Sequence, residues 1–250
     1  MIKSKFCIGN PELPLMALAI HNGHDMPREL MDICGISDTE RLQEEDPYTA
    51  LISEKCGNYI TVLSSRFMVD LNRSPQKAVY QKPEDCWGLP VRKSEIPGDY
   101  LAKLYQAYDQ WYALLGYNIE KLLQRHEHLI VLDIHSYNHR RGGTTAPPDP
   151  QIDNPDLILG RSNMPMEHYP AVAKLRHRLH GKMLGNRVLD CREDIKFTGG
   201  NLSRYLHDKY DGKVMSISIE FKKIFMDEWT GLLDEVIFGE FIALFWDSIK

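Results

Sequence analysis

Cysteine is scarce in this sequence of 250 residues: it has five, scattered, odd in number and without any CxxC spacing. Such a set argues against a disulfide framework and against a zinc site built from thiolates. Long apolar runs are also absent, and no segment approaches the roughly 20 residues of a membrane-spanning helix. The N-terminus lacks the basic and apolar regions of a signal peptide. The sequence therefore predicts a reduced, cytoplasmic location and no membrane partner.

Positive charge is not in excess either. Lysine and arginine number 30 against 35 acidic residues, for a formal net charge of -5. This balance gives no global attraction to nucleic acid or to an anionic membrane surface, so basic side chains are expected to act as individual anion contacts. The hydrophobic fraction of 43% and the charged fraction of 26% are ordinary for a globular protein. The length favours one large domain over residues 1–250.

Short apolar runs alternate with amphipathic stretches along the chain. The runs that predict strands are residues 15–20, 59–63, 129–132, 156–159 and 214–219. Helical spacing of apolar residues covers residues 101–125, 170–183 and 233–249. This alternation predicts an α/β fold with three αβα layers around a mostly parallel or mixed sheet. The Gly- and Pro-rich segment 142–155 is predicted to be a long loop.

Four polar clusters, three of them at predicted strand ends, carry groups suited to catalysis. They lie at residues 21–25, 44–48, 64–73 and 218–223. In open α/β sheets ligands bind beyond the carboxyl ends of the strands. Two histidines and a carboxylate from separate strand ends are the ligand set of a catalytic zinc. Zinc activates water, another carboxylate can move the proton, and an Asn–Arg pair can hold a substrate carboxylate, so the residue types suffice for amide hydrolysis.

Each cluster also has a structural explanation. The acids at 44–46 precede Pro47 and would suit the first turn of a helix. Glu220 ends an apolar strand, where a buried carboxylate needs either a basic partner or a catalytic role. Lys222 and Lys223 are expected to form a solvated rim.

The segment after the predicted strand 129–132 leaves several roles open. Arg66, Arg140 and Arg141 either bind substrate or pair with the many acids. His139 contacts a substrate or an acid, or has no role. Asp133 is expected to be structural, on the strand face opposite to that of the histidine two residues later.

Three of these segments resemble parts of a known enzyme group. The segment 69–73 (VDLNR) resembles the one with which zinc carboxypeptidases bind the terminal carboxylate of their substrate. The segment 135–137 (HSY) is similar to the one that carries their second zinc histidine, and Glu220 falls late in the chain like their catalytic glutamate. The closer resemblance is to the N-formylglutamate amidohydrolase family. It rests on the loop at residues 21–23 and on segments 65–73, 132–136 and the late Glu220, and it covers most of the chain.

The resemblance implies a carboxypeptidase-like fold and a zinc-dependent amidohydrolase. By this likeness zinc would bind to His21, Asp46 and His135. Glu220 would be the catalytic carboxylate, and the substrate would be bound by Arg66, Asn72, Arg73 and Arg140. Zinc carboxypeptidases take two ligands from an HxxE pattern, but here His24 occupies the position of the glutamate. Asp46 is favoured as the third ligand because it lies where the amidohydrolase family has an acid, and Glu45 and His24 remain alternatives.

The function that follows is hydrolysis of an N-acyl amino acid. By resemblance the substrate would be N-formyl-L-glutamate and the products formate and glutamate, whereas the residues alone indicate only a small amide that carries a carboxylate. One alternative is a carboxypeptidase or amidase that acts on a peptide or cell-wall fragment. Another is a metal-free binding or regulatory module on the same scaffold. The sequence does not indicate the oligomeric state.

Overall fold

The computed structural model describes residues 1–249. It is a mixed α/β structure with nine strands and seven helices among these residues, and two of the strands form a small hairpin. The strands are β1 Ser4–Ile8, β2 Leu15–Ala19, β3 Asn58–Val62, β4 Leu129–Tyr137, β5 Leu157–Gly160, β6 Met183–Leu184, β7 Arg187–Val188, β8 Cys191–Glu193 and β9 Val214–Lys222. The helices are α1 Arg28–Asp32, α2 Asp38–Glu44, α3 Thr49–Ser53, α4 Gly98–Leu123, α5 Tyr169–Leu179, α6 Asn201–Tyr210 and α7 Glu235–Ile249. The predicted α/β class with a mixed sheet is confirmed.

The chain divides into two compact units, Met1–Leu129 and Ile130–Lys250. The expectation of a single domain over the whole chain stays a prediction. In the first unit β3 lies between β1 and β2, antiparallel to β1 and parallel to β2. Every residue of β2 is buried, as the uninterrupted apolar run predicts for a strand that is covered on both faces.

The long helix of the first unit supports the loop that follows β3. Its apolar stripe is buried and includes Leu104, Trp111 and Leu115. Two tyrosines on α4 donate to backbone carbonyls of that loop: Tyr108 to Arg73 at 2.9 Å and Tyr112 to Leu71 at 2.6 Å. The helix therefore fixes the backbone of the segment that carries the predicted carboxylate-binding residues.

The second unit contains the strand order β4–β9–β5–β8. β5 runs antiparallel to β9 and parallel to β8. Both β4 and β9 are nine residues long and continue beyond the apolar runs that predicted them. His135 and Glu220 consequently lie inside strands, not in the loops after them. The prediction ended each strand too early because it relied on apolar residues, whereas these strands bury polar side chains as well.

The two lysines expected on a solvated rim are buried, so that expectation was wrong. Lys222 places its Nζ 3.1 Å from Asp156, and Arg187 lies 2.8 Å from the same carboxylate. Burial lowers the pKa of Lys222, although Asp156 acts in the opposite direction. Because β9 extends to Lys222, this side chain belongs to the buried part of the sheet and needs a carboxylate partner.

Among residues 1–249, no helix is both long and apolar enough to cross a membrane. Residues 142–155 contain no helix or strand, which confirms the predicted long loop between β4 and β5.

Candidate metal and substrate site

His21 lies directly beyond β2, buried between two carboxylates. Its Nδ1 is 3.5 Å from an oxygen of Asp46, and its Nε2 is 2.8 Å from an oxygen of Asp70. Because a carboxylate accepts, Nε2 carries the proton and donates to Asp70. Nδ1 then presents its lone pair on the side of Asp46. The backbone N–H of Asp46 also donates to the carbonyl of His21 at 2.9 Å, which links the two residues.

The two alternatives to Asp46 have other partners. The guanidinium of Arg41 donates to Nε2 of His24 at 3.0 Å, and Nδ1 of His24 lies 2.6 Å from Glu45. An arginine can only donate, so Nε2 accepts and Nδ1 carries the proton toward the carboxylate. Glu45 also accepts from the hydroxyl of Ser65. With both its nitrogens engaged, His24 is poorly suited to bind a metal, and the pairing favours Asp46 as the third ligand.

Asp70 is fully buried and accepts hydrogen bonds from several directions. Besides His21, its donors are the guanidinium of Arg66 at 2.8 Å, the hydroxyl of Tyr80 and the backbone N–H of Asn72 at 2.8 Å. Burial alone would raise the pKa of Asp70, but Arg66 and then His21 hold it well below its usual range. Asp70 is therefore an anion that orients a histidine and an arginine at once. The sequence placed Asp70 in the polar cluster 64–73 but indicated no role for it.

Arg73 is the more accessible of the two predicted arginines of this unit. Its side chain is 37% exposed, against 11% for Arg66. Its Nε lies 3.9 Å from Asp70, and its backbone carbonyl accepts from Tyr108. Asn72 is half-buried next to it. The pair combines an anchored backbone with a guanidinium that reaches solvent, as a carboxylate-binding residue requires.

His135 is buried on β4 with a carboxylate two residues before it. Its Nε2 lies 3.0 Å from an oxygen of Asp133. The expected placement of Asp133 on the opposite face was wrong, because residues two apart in a strand point to the same face. Among the described residues, neither oxygen of this buried carboxylate has a well-aligned hydrogen-bond donor. Such a carboxylate favours a protonated Nε2 that faces it, with Nδ1 turned away.

Glu220 lies on β9, opposite Ile158 in the register with β5, and its side chain is largely buried. It is the residue predicted to transfer a proton.

The segment after β4 is fixed by a residue that the sequence reasoning missed. Glu228 accepts from the backbone N–H groups of His139 at 2.7 Å and of Arg140 at 3.2 Å, and lies 2.6 Å from Nδ1 of His139. Burial would raise the pKa of Glu228, but the His139 contacts lower it. Arg140 donates to the carbonyl of Thr144 at 2.7 Å and so ties this segment to the long loop. His139 thus pairs with an acid, one of the roles considered for it.

The three predicted metal ligands share one feature, their burial. His21 and Asp46 in the first unit and His135 in the second are all buried.

A search of protein-family models matches residues 13–226 to N-formylglutamate amidohydrolase. The chain belongs to the N-formylglutamate amidohydrolase family. This membership supports a hydrolase that acts on an amide bond and takes a small-molecule substrate.

Solved structures agree on the fold. An N-formylglutamate amidohydrolase from Ralstonia eutropha is similar over 100% of this chain and 98% of its own, with a TM-score of 0.76 and 15% identity. A gene product from Agrobacterium tumefaciens is similar over 98% and 94%, with a TM-score of 0.69 and 14% identity. No curated protein matches the chain.

Proposed function

We propose that the protein is a zinc-dependent amidohydrolase that cleaves the amide bond of an N-acyl amino acid, such as N-formyl-L-glutamate, into formate and the amino acid. The proposed zinc ligands are His21, Asp46 and His135, and the observation that carries the proposal is that all three are buried, with Nδ1 of His21 3.5 Å from a carboxylate oxygen of Asp46. Membership of the N-formylglutamate amidohydrolase family gives the reaction class, hydrolysis of an amide bond.

The donor set suits zinc. Two imidazoles and one carboxylate are the protein ligands of several catalytic zinc sites, which leave a further position open. Both histidines have a carboxylate close to Nε2, Asp70 at 2.8 Å and Asp133 at 3.0 Å. A carboxylate that accepts a hydrogen bond from Nε2, as Asp70 does from His21, sets the tautomer of a metal-binding histidine and raises its basicity. When bound, zinc would act as a Lewis acid and make water a stronger acid near neutral pH.

The protein's own residues then divide the remaining work. Glu220 accepts the proton of the attacking water and returns it to the departing amine. Arg73, with Asn72 beside it, binds the carboxylate of the substrate and so selects against neutral amides. Arg66 adds positive charge next to this pair, and Arg140 contributes to substrate binding from the segment that Glu228 holds.

Amine release from a panel of N-acyl amino acids tests this function. The panel varies the acyl group from formyl to acetyl and the amino acid from glutamate to its side-chain amide, to a neutral residue and to an amino acid amide that has no carboxylate. We expect turnover to require a carboxylate on the amino acid and to be lost after removal of metal by a chelator, then restored by zinc. Full activity of metal-depleted protein would contradict the proposal.

A further inference from the structure

Trp87 is an exposed aromatic residue that belongs to no helix or strand. Its side chain lies in the loop between β3 and α4, and the residue is 56% exposed. A single exposed aromatic side chain needs no special explanation. This one differs because of what its ring contacts and because of its backbone.

The ring of Trp87 lies close to both predicted carboxylate-binding arginines of this unit. The guanidinium carbon is 5.0 Å from the ring centroid for Arg66 and 5.4 Å for Arg73. Both distances are within the range of a cation–π interaction, for which tryptophan is the best partner. Tyr80 also contacts the indole in a T-shaped arrangement, with ring centroids 6.3 Å apart.

The backbone of Trp87 is held in a conformation that tryptophan rarely adopts. Its φ is +49°, in the left-handed region, and Gly88 follows with a φ of +89°. Backbone N–H groups of the turn fix this shape: Gly88 donates to Pro83 at 2.8 Å and Leu89 to Cys86 at 2.8 Å. A bulky residue that keeps an unfavourable backbone angle suggests that its side chain has a function at that place.

Charge and geometry indicate which function. Arg66 and Arg73 share one carboxylate, that of Asp70, at 2.8 Å and 3.9 Å. The three side chains therefore carry one positive charge in excess, and the excess lies on the side of the more exposed Arg73. A ring face attracts a guanidinium without using its N–H donors, which stay available to a carboxylate.

We propose that Trp87 is a positioning residue that holds the guanidinium of Arg73 ready to bind the carboxylate of the substrate. The inference rests on the proposed function, since it assigns that carboxylate to Arg73. By restricting an otherwise mobile side chain, the indole reduces the entropy that binding must overcome. Its effect is therefore on substrate affinity and not on the chemical step.

The test measures binding of L-glutamate, a carboxylate-bearing product, by titration calorimetry, together with KM and kcat for N-formyl-L-glutamate. We expect Trp87→Leu, which keeps apolar bulk without the π face, to raise Kd and KM by about fivefold and to change kcat less than about twofold. Trp87→Phe should lie between this variant and wild type. Thermal melting of each variant shows whether the fold is intact, and Trp87→Phe provides the measurement if Trp87→Leu does not fold.

Tyr117→Ala is the matched control. Tyr117 on α4 is 55% exposed, and the Nζ of Lys121 lies 4.6 Å from the centroid of its ring. The substitution therefore removes a cation–π contact that involves neither Arg66 nor Arg73. It should leave Kd and KM unchanged. In the double variant Trp87→Leu/Arg73→Ala, Kd should equal that of Arg73→Ala alone.

The outcomes separate the two proposals. If Arg73→Ala weakens glutamate binding but both Trp87 variants bind like wild type, the role of Trp87 is contradicted and the proposed function stands. If Arg73→Ala binds glutamate like wild type, the carboxylate-binding role of Arg73 in the proposed function is itself contradicted.

Discussion

The Nε2 nitrogen of His21 lies 2.8 Å from a carboxylate oxygen of Asp70, and the other oxygen of that carboxylate lies 2.8 Å from a guanidinium nitrogen of Arg66. One buried anion thereby orients a proposed metal ligand and a proposed substrate-binding residue. Metal binding and substrate binding in this unit should therefore respond together to changes at Asp70.

Asp70→Asn should reduce zinc affinity by about 10- to 100-fold, the effect of losing a carboxylate behind a metal-binding histidine. It should also raise KM, since Arg66 loses its anionic partner. Competition with a chromophoric chelator measures the affinity. Tyr80→Phe removes a single hydrogen bond to Asp70 and serves as the matched control, with a smaller effect on both quantities. Equal zinc affinity in wild type and Asp70→Asn would refute the role of Asp70.

Arg73→Lys should raise KM by about tenfold or more while kcat stays close to that of wild type. Lysine keeps the charge but cannot offer two parallel N–H donors to a carboxylate. Steady-state kinetics with N-formyl-L-glutamate checks the expectation. A loss confined to kcat would show that Arg73 acts in the transition state and not in substrate binding.

Glu220→Gln should lower kcat by roughly 100- to 10,000-fold, the usual contribution of a general acid–base group. Zinc content and melting temperature should stay near those of wild type, because Gln is almost the same size. Metal analysis and kinetics on the same preparation separate loss of chemistry from loss of the site. Undiminished turnover by this variant would remove Glu220 from the mechanism.

Stability should fall in mild acid because of His207 on α6. Its Nε2 accepts from the backbone N–H of Ser216 at 2.9 Å, and Nδ1 lies 2.7 Å from the carbonyl of Asn163, so the folded state holds the neutral ring. Burial lowers the pKa of His207 below its ordinary 6.5. A depressed histidine pKa means that its stabilising contribution is complete above pH 6.5 and declines as pH falls toward the lower folded pKa.

Urea unfolding at pH 8, 6.5 and 5 measures this dependence. His207→Gln should cost about 1–3 kcal/mol at pH 8 through the lost hydrogen bonds and should show a flatter decline between pH 8 and pH 5 than wild type. His177→Gln, on the exposed face of α5, is the control and should keep the wild-type slope. If the free energy of unfolding fell equally with pH in wild type and His207→Gln, the acid sensitivity would belong to other groups.

Much of the fold could be predicted from the sequence because apolar runs mark buried strands. The predicted run 15–20 corresponds to β2 Leu15–Ala19, and helical spacing over 101–125 corresponds to α4 Gly98–Leu123. Strand ends were less predictable. β4 and β9 extend through polar residues whose burial depends on partners elsewhere in the chain, and no local pattern contains that information.

The candidate site was likewise predictable only in part. Residue types and the resemblance of several segments to a known family identified candidate ligands. The supporting residues could not be found in this way. Asp133 and Glu228 act through contacts at 3.0 Å and 2.6 Å with histidines, and one of those contacts joins residues 89 positions apart. Even-numbered spacing along a strand would have placed Asp133 on the face of His135.

The most direct test of the central claim is the zinc content of purified protein, measured by mass spectrometry for wild type and four single variants. We predict one zinc per chain in wild type and in His24→Ala, and loss of zinc in His21→Ala, Asp46→Ala and His135→Ala, with all five folded by circular dichroism. Full zinc retention by folded His135→Ala would contradict the proposed ligand set.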